Sequence, residues 1–151
     1  MPQKDTNHHL ITKALLNDSW QITDDPYVIS YGERFLFIDL GASQTTQAAT
    51  LLGLQQGECR IAVEIKEFRG PSFIANLEQA IGQYSLYRLL LHQVDPQRTL
   101  YLGITDIIYD NLFREPIGEL VIQQLPLNLL IIHSETVEVQ QWLPHPSTVK
   151  L

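Results

Sequence analysis

Residues 60–68 read RIAVEIKEF, a stretch that combines the pattern of a buried strand with a facing acid and base. Side chains of a strand point alternately to its two faces, which divides these residues into two sets. The apolar face carries Ile61, Val63 and Ile65. The other face carries Glu64 and Lys66, whose side chains leave the strand roughly 7 Å apart. The stretch therefore predicts a strand of the core and, on its second face, a candidate chemical site.

Hydrophobic periodicity predicts a helix and several short strands before this stretch. Apolar residues recur at helical spacing over residues 6–18, and the period then changes to two in QIT, YVIS and RFLFIDL. The tight YGE turn between the last two strands favours a hairpin. Residues 42–57 fit either a short helix that ends in a turn at Gly57 or a polar connection.

A long helix is predicted directly after the stretch. Gly70 and Pro71 break the strand, and Pro71 suits the first turn of a helix. An apolar stripe then continues to about His92. TLYLGIT and LNLLIIH are typical of buried strands, and ETVEVQQWL alternates like a half-exposed strand.

Shorter helices are predicted between these later strands. Thr105 or Asp106 can cap a helix that begins near Ile107, and Pro116 separates it from a helical piece over residues 119–124. Helices and strands thus alternate along the second half of the chain. This order predicts a single domain, residues 1–151, of the α/β class with a mixed central sheet flanked by helices.

Composition limits the classes of function. The 151 residues carry 17 acidic and 10 basic side chains, a formal net charge of -7, which argues against a broad basic surface for nucleic acid. No apolar run approaches the roughly 20 residues of a transmembrane helix, and the first residues do not form a signal peptide. A cytoplasmic protein without membrane association is expected. Cys59 is the single cysteine, which we interpret as a small buried apolar residue.

A candidate metal site arises where the charged face of residues 60–68 meets the end of the preceding strand. Asp39 stands at the carboxyl end of RFLFIDL, and strand pairing would bring it beside Glu64. Two carboxylates and the backbone carbonyl of Ile65 suit Mg²⁺ or Mn²⁺, while Lys66 can orient water or offset charge on a phosphate. The alternative is that Glu64 and Lys66 form the solvent face of an edge strand and Asp39 caps a turn at Gly41.

This constellation resembles the PD-(D/E)xK nuclease-like superfamily, with its restriction-endonuclease-like fold and its helix, three strands, helix, strand order. Asp39 and the EIK of residues 64–66 carry the resemblance, although Ile38 stands where the superfamily's name has proline. In the long helix, Gln83 and Tyr87 look like the accessory Gln-x-x-x-Tyr motif of RecB-type members. Their alternative role is ordinary packing of helix on sheet.

Nearly the entire chain is similar to the XisH family, the cyanobacterial controlling factors for excision of the fdxN element in heterocysts. The similarity is carried by MPQKDTNHH, SWQITDDPYVISYG, FIDLGA, IAVEIKEFRGPSF, LEQAIGQYSLYR, TLYLGI and YD. It implies programmed DNA rearrangement, DNA as a ligand, and an XisI-type controlling factor as partner.

Three interpretations of this resemblance stay open. The first is a metal-dependent endonuclease whose catalytic residues are Asp39, Glu64, Lys66, Gln83 and Tyr87. The second is a regulator or scaffold of the same fold that acts without turnover through DNA or a protein. The third is a structural subunit that forms a homo-oligomer through LNLLIIH or the long helix. Superfamily members often add an acid from the first helix, for which Asp5 is available, and His8 and His9 follow it.

Overall fold

The computed structural model describes residues 6–50 and 53–146, and of these the side chains outside residues 46–56. Helices and strands alternate after an initial group of strands. In chain order the elements are α1 (Thr6–Asn17), β1 (Gln21–Asp24), β2 (Tyr27–Tyr31), β3 (Arg34–Ile38), β4 (Leu40–Thr50), β5 (Gly53–Ile65), α2 (Phe73–Val94), β6 (Arg98–Thr105), α3 (Asp106–Ile108), a π-helical turn (Tyr109–Phe113), α4 (Pro116–Gln124), β7 (Leu129–His133) and β8 (Glu138–Leu143).

Six strands form one mixed sheet in the order β1-β4-β5-β6-β7-β8. Strand β5 runs parallel to β6, and β6 parallel to β7, whereas the pairs β1/β4, β4/β5 and β7/β8 are antiparallel. Strands β2 and β3 form a separate antiparallel hairpin. The predicted α/β class with a mixed central sheet flanked by helices is confirmed.

The sheet buries both of its faces, because successive residues of β5 enter opposite cores. Ala62 belongs to a core that includes Leu77 and Tyr84 of α2. Ile61 and Val63 belong to a second core with residues of α1 and the two tryptophans. Burial on both faces explains why the central strands are almost continuously apolar.

The prediction for residues 42–57 is wrong in both of its forms, since the described part of the segment, residues 42–50 and 53–57, is extended. Strand β4 pairs with β5 along its whole length, from Leu40 opposite Val63 to Thr50 opposite Gly53. The threonines in the segment favour strands over helix, and the long ladder satisfies the backbone of these polar residues. Five strands, rather than the three of the nuclease order, therefore precede α2.

RFLFIDL is also not one strand. Strand β3 ends at Ile38 and pairs with β2, whereas β4 begins at Leu40 and pairs with β5. Asp39 lies at the step where the chain passes from the hairpin to the large sheet. This step places the Asp39 side chain next to the end of β5, where its Oδ2 accepts from the N–H of Ile65.

The hairpin is fixed against the end of α2. The Tyr27 hydroxyl donates to Asp95 at 3.0 Å, and the Arg98 guanidinium lies 4.6 Å from the centre of the Tyr27 ring. Arg98 also donates to Asp95 at 3.0 Å and to the carbonyl of Ile61 at 2.8 Å. Through these contacts the hairpin and β5 are both held to the loop between α2 and β6.

Side-chain caps define where the helices begin. Ser72 accepts a hydrogen bond from the N–H of Ala75 at 3.1 Å, so α2 begins just after the predicted Pro71. Thr105 caps α3 through the N–H of Ile108 at 3.4 Å, as predicted. Within the described residues, no helix combines the length and apolar character that a membrane crossing requires.

Candidate functional site

Glu64 is the next-to-last residue of β5, which is an interior strand of the large sheet. It is buried, with 7% of its surface exposed, and its neighbours in the sheet are β4 on one side and β6 on the other. The edge-strand alternative is therefore wrong, since β5 lies inside the sheet. A buried glutamate in such a strand requires compensating partners.

Asp39 supplies the first of these partners. Its N–H donates to Oε1 of Glu64 at 3.3 Å, and its own Oδ2 accepts from the N–H of Ile65 at 2.8 Å. Each carboxyl group is thus oriented by a backbone donor of the other strand. The predicted meeting of Asp39 and Glu64 is present in the structure.

The surroundings of Asp39 and Glu64 raise the pKa of both carboxyl groups and so favour their protonated forms. Burial, and then the neighbouring Asp39, raise the pKa of Glu64 to about 8, against the opposing effect of Lys66. Burial also raises the pKa of Asp39, although the Ile65 N–H, Glu64, His8 and Lys66 each act to lower it. Glu64 is buried and Asp39 is half-buried, and two carboxyl groups this close do not both ionise readily, so the raised pKa of Glu64 favours a proton on the pair near neutral pH.

Lys66 joins the pair from just beyond the strand. Strand β5 ends at Ile65, and the N–H of Lys66 donates to the carbonyl of Gly103 at 3.0 Å. Its Nζ lies 3.7 Å from Oε2 of Glu64, and its side chain is partly exposed. The amine therefore stands between the two acids and solvent.

The α2 motif faces the same centre. Burial raises the pKa of Tyr87, and the charges of Glu64 and Asp39 raise it further, which places the phenol in their field. Oε1 of Gln83 is buried and has no hydrogen-bond partner among the described residues. An unsatisfied buried amide oxygen is costly, so it indicates a water or ligand at this place.

His8 approaches the centre from α1. Its Nε2 lies 2.9 Å from Oδ1 of Asp25, the residue is buried, and its proximity acts to lower the pKa of Asp39. The signal in the sequence is spacing, because His8, Ile11 and Leu15 fall on one helical face. No sequence signal identifies Asp25. His9 is exposed, and Asp5 lies outside the described residues.

The donor set fits a hard divalent cation with few protein ligands. One oxygen of each carboxyl group meets a backbone N–H, and the second oxygen of Glu64 lies 3.7 Å from Nζ of Lys66. A cation at the second oxygens of Asp39 and Glu64 would therefore lie beside the lysine. Among the residues that the structure describes, no three His, Cys, Asp or Glu side chains form a metal-binding cluster. A cation here would thus rely on the pair, water and a backbone oxygen, for which Ile65 remains the prediction.

Two grooves of the described surface lie away from this centre. One, of about 670 Å³, runs beside the second half of α2, and another, of about 540 Å³, lies beside α4. Neither is lined by Asp39, Glu64 or Lys66.

Comparisons with known proteins agree on one family. The family model described as XisH protein matches residues 1–140. A solved structure from Anabaena variabilis, described as an fdxN element excision controlling factor protein, shows 32% identity and a TM-score of 0.77, covering 93% of this chain and 99% of that chain. An XisH family protein from Nostoc punctiforme shows 32% identity and a TM-score of 0.78, covering 91% of this chain and 98% of its own. No curated protein matches.

Proposed function

This chain belongs to the XisH family, and from that premise we propose that it controls excision of a DNA element through a nuclease-like, cation-binding site. The superfamily assignment, PD-(D/E)xK with a restriction-endonuclease-like fold, is part of the proposal. It is supported by an acid, a second acid and a lysine gathered at the end of a central strand. A protein acting on chromosomal DNA in a bacterium works in the cytoplasm, which completes the proposal.

One observation carries it: a buried and a half-buried carboxyl group lie together, each oriented by a backbone N–H, and burial raises the pKa of both. A structural role alone would be served better by an apolar pair, because burying acids costs free energy. A divalent cation removes this cost by replacing the shared proton with two positive charges. The pair is therefore suited to bind Mg²⁺ or Mn²⁺.

The chain's own residues have distinct roles in this proposal. Asp39, Glu64 and the Ile65 carbonyl hold the cation, which when bound supplies Lewis acidity at a phosphate. Lys66 stands on the solvent side and offsets charge on the phosphate. Gln83 and Tyr87 border the centre from α2 and position water or substrate.

Metal-dependent cleavage of single-stranded, duplex and branched DNA tests the proposal. Wild type is expected to cleave with Mn²⁺, whereas Glu64→Gln and Lys66→Met lose activity by on the order of 100-fold or more. Glu78→Gln is the matched control, because it makes the same substitution at an exposed position of α2. Equal cleavage by wild type and Glu64→Gln would contradict the proposed site.

A regulator without turnover is the second candidate, favoured by the net charge of -7. An acidic protein binds DNA weakly by itself, so a partner would have to supply much of the affinity. The Anabaena protein is named as a controlling factor, which fits this role. An XisI-type partner and a homo-oligomer remain predictions. Mn²⁺ binding without cleavage of any of the three DNA forms would favour this candidate.

A further inference from the structure

The groove of about 670 Å³ beside α2 carries chemistry that the proposed DNA function does not use. Its size falls within the range of small-molecule sites. On the 3.6-residue period of a helix, Gln83 and Tyr87 face one flank of α2, toward the carboxyl pair. Arg88 and His92 face the opposite flank, where the groove lies between α2, the start of β6 and the segment before β7. The helix thus separates the two sites.

The groove is basic on an acidic protein. None of the described residues that line it is acidic, although the chain as a whole has a net charge of -7. Arg88 and His92 are four residues apart, so their side chains lie side by side on one helical face. Within the described part of the chain, no carboxylate forms an ion pair with Arg88, which instead lies close to the Tyr84 hydroxyl.

Arg98 provides a contrast inside the same groove. Its guanidinium donates to Asp95 at 3.0 Å and to the carbonyl of Ile61 at 2.8 Å. These N–H donors of Arg98 are thus engaged within the protein. The Arg88 side chain is exposed and has no such acidic partner among the described residues. Arg88 is therefore the cation available to a ligand.

Other lining residues suit a ligand with a flat apolar body. Leu89, Pro96 and Pro126 form apolar walls. The side-chain amide of Asn128 donates to the carbonyl of Leu100 at 3.2 Å, which fixes the group and leaves its own oxygen as an acceptor. A few oriented polar groups among apolar walls are typical of small-ligand sites.

We propose that this groove binds a small organic monophosphate with a flat apolar body, such as a nucleoside monophosphate. Arg88 holds the phosphate through its planar pair of N–H donors, and the His92 ring adds a further donor. The prolines and Leu89 cover the flat body, and Asn128 accepts from it. The site is independent of the carboxyl pair, since α2 lies between them.

Calorimetric titration with adenosine 5′-monophosphate (AMP), adenosine and inorganic phosphate tests this inference. Wild type is expected to bind AMP saturably, with adenosine binding about tenfold more weakly or worse. Arg88→Gln is expected to weaken AMP binding by about tenfold or more, and His92→Gln by a smaller factor. Arg34→Gln removes the same charge from the exposed hairpin turn and serves as the matched control, with little change expected.

Several outcomes overturn the inference. Absence of AMP saturation by about 10 mM would do so, because a specific site binds more tightly than this. Equal weakening of AMP binding by Arg88→Gln and Arg34→Gln would show that the effect comes from the net charge of the protein and not from a site at Arg88. Loss of AMP binding in Glu64→Gln would place the ligand at the carboxyl pair instead. Amide NMR spectra with and without AMP confirm that each variant is folded. They also show whether the chemical-shift changes caused by AMP lie at the groove.

Discussion

Replacing Glu64 by glutamine should change how the stability of the protein depends on pH. Glutamine is a neutral isostere of the protonated acid that the folded state prefers. The pKa of Glu64 rises from its ordinary 4.5 to about 8 on folding, chiefly because the residue is buried and then because Asp39 is close. Between these values the folded protein binds more protons than the unfolded chain.

The sign and size of the effect follow from this linkage. Since the folded state holds the extra proton, the contribution of Glu64 to stability is most favourable below pH 4.5 and is lost as the pH rises from there through about 8. The slope approaches about 1.4 kcal/mol per pH unit for one proton. Across pH 5 to 9, we expect wild type to lose roughly 3–5 kcal/mol relative to Glu64→Gln. The variant should be the more stable protein at alkaline pH.

Urea denaturation followed by the fluorescence of Trp20 and Trp142 measures this difference. Both tryptophans are buried in the core that also contains α1, so their emission reports loss of packing. Glu78→Gln is the matched control and should follow wild type at every pH, because Glu78 is exposed. If the free energy of unfolding changed with pH in the same way for wild type and Glu64→Gln, the account of a buried carboxyl pair that holds a proton would be refuted.

The remaining predictions concern the same centre and the packing that supports it. Lys66→Met should raise the pKa of the carboxyl pair, because Lys66 lowers both values; an unchanged titration in carboxyl-detected NMR would contradict this. Tyr87→Phe should keep the fold and Mn²⁺ affinity but lower DNA cleavage or binding, whereas loss of thermal stability by several degrees would show a packing role instead. Gly118→Ala should destabilise by about 2 kcal/mol or more, since the added Cβ would lie 2.6 Å from the Cα of Phe113 and backbone cannot yield as a side chain does. Gly82→Ala, in open space on α2, should instead stabilise by about 0.5–1 kcal/mol, and equal effects in denaturation would contradict the packing at α4.

Local patterns in the sequence were sufficient for most elements. The helical stripe after Pro71 and the apolar runs of β6 and β7 specify buried elements whatever their neighbours are, and these predictions are confirmed. The polar hairpin of β4 and β5 was not predictable in this way. Its stability comes from the pairing of two strands, each of which has only a weak hydrophobic pattern. The pairing cannot be recognised from either strand alone.

The candidate site was partly predictable for a related reason. A charge interrupting an apolar strand pattern identified Asp39 and Glu64, because burial of an acid leaves a visible exception in the sequence. In the sequence His8 stands out only as one of a pair with His9, since a histidine near the start of a helix carries no sign of whether it is buried. Asp25 and the step between two sheets at Asp39 depend on the hairpin's position, which is a tertiary property.

The most direct test of the central claim is Mn²⁺ titration of the wild-type protein near neutral pH, in two buffers with different ionisation enthalpies. A cation that replaces the shared proton of Asp39 and Glu64 should release close to one proton per bound ion. Glu64→Gln should bind Mn²⁺ far more weakly, and Glu78→Gln should match wild type. Mn²⁺ binding without proton release, or undiminished binding in Glu64→Gln, would contradict the claim that this carboxyl pair is the cation site.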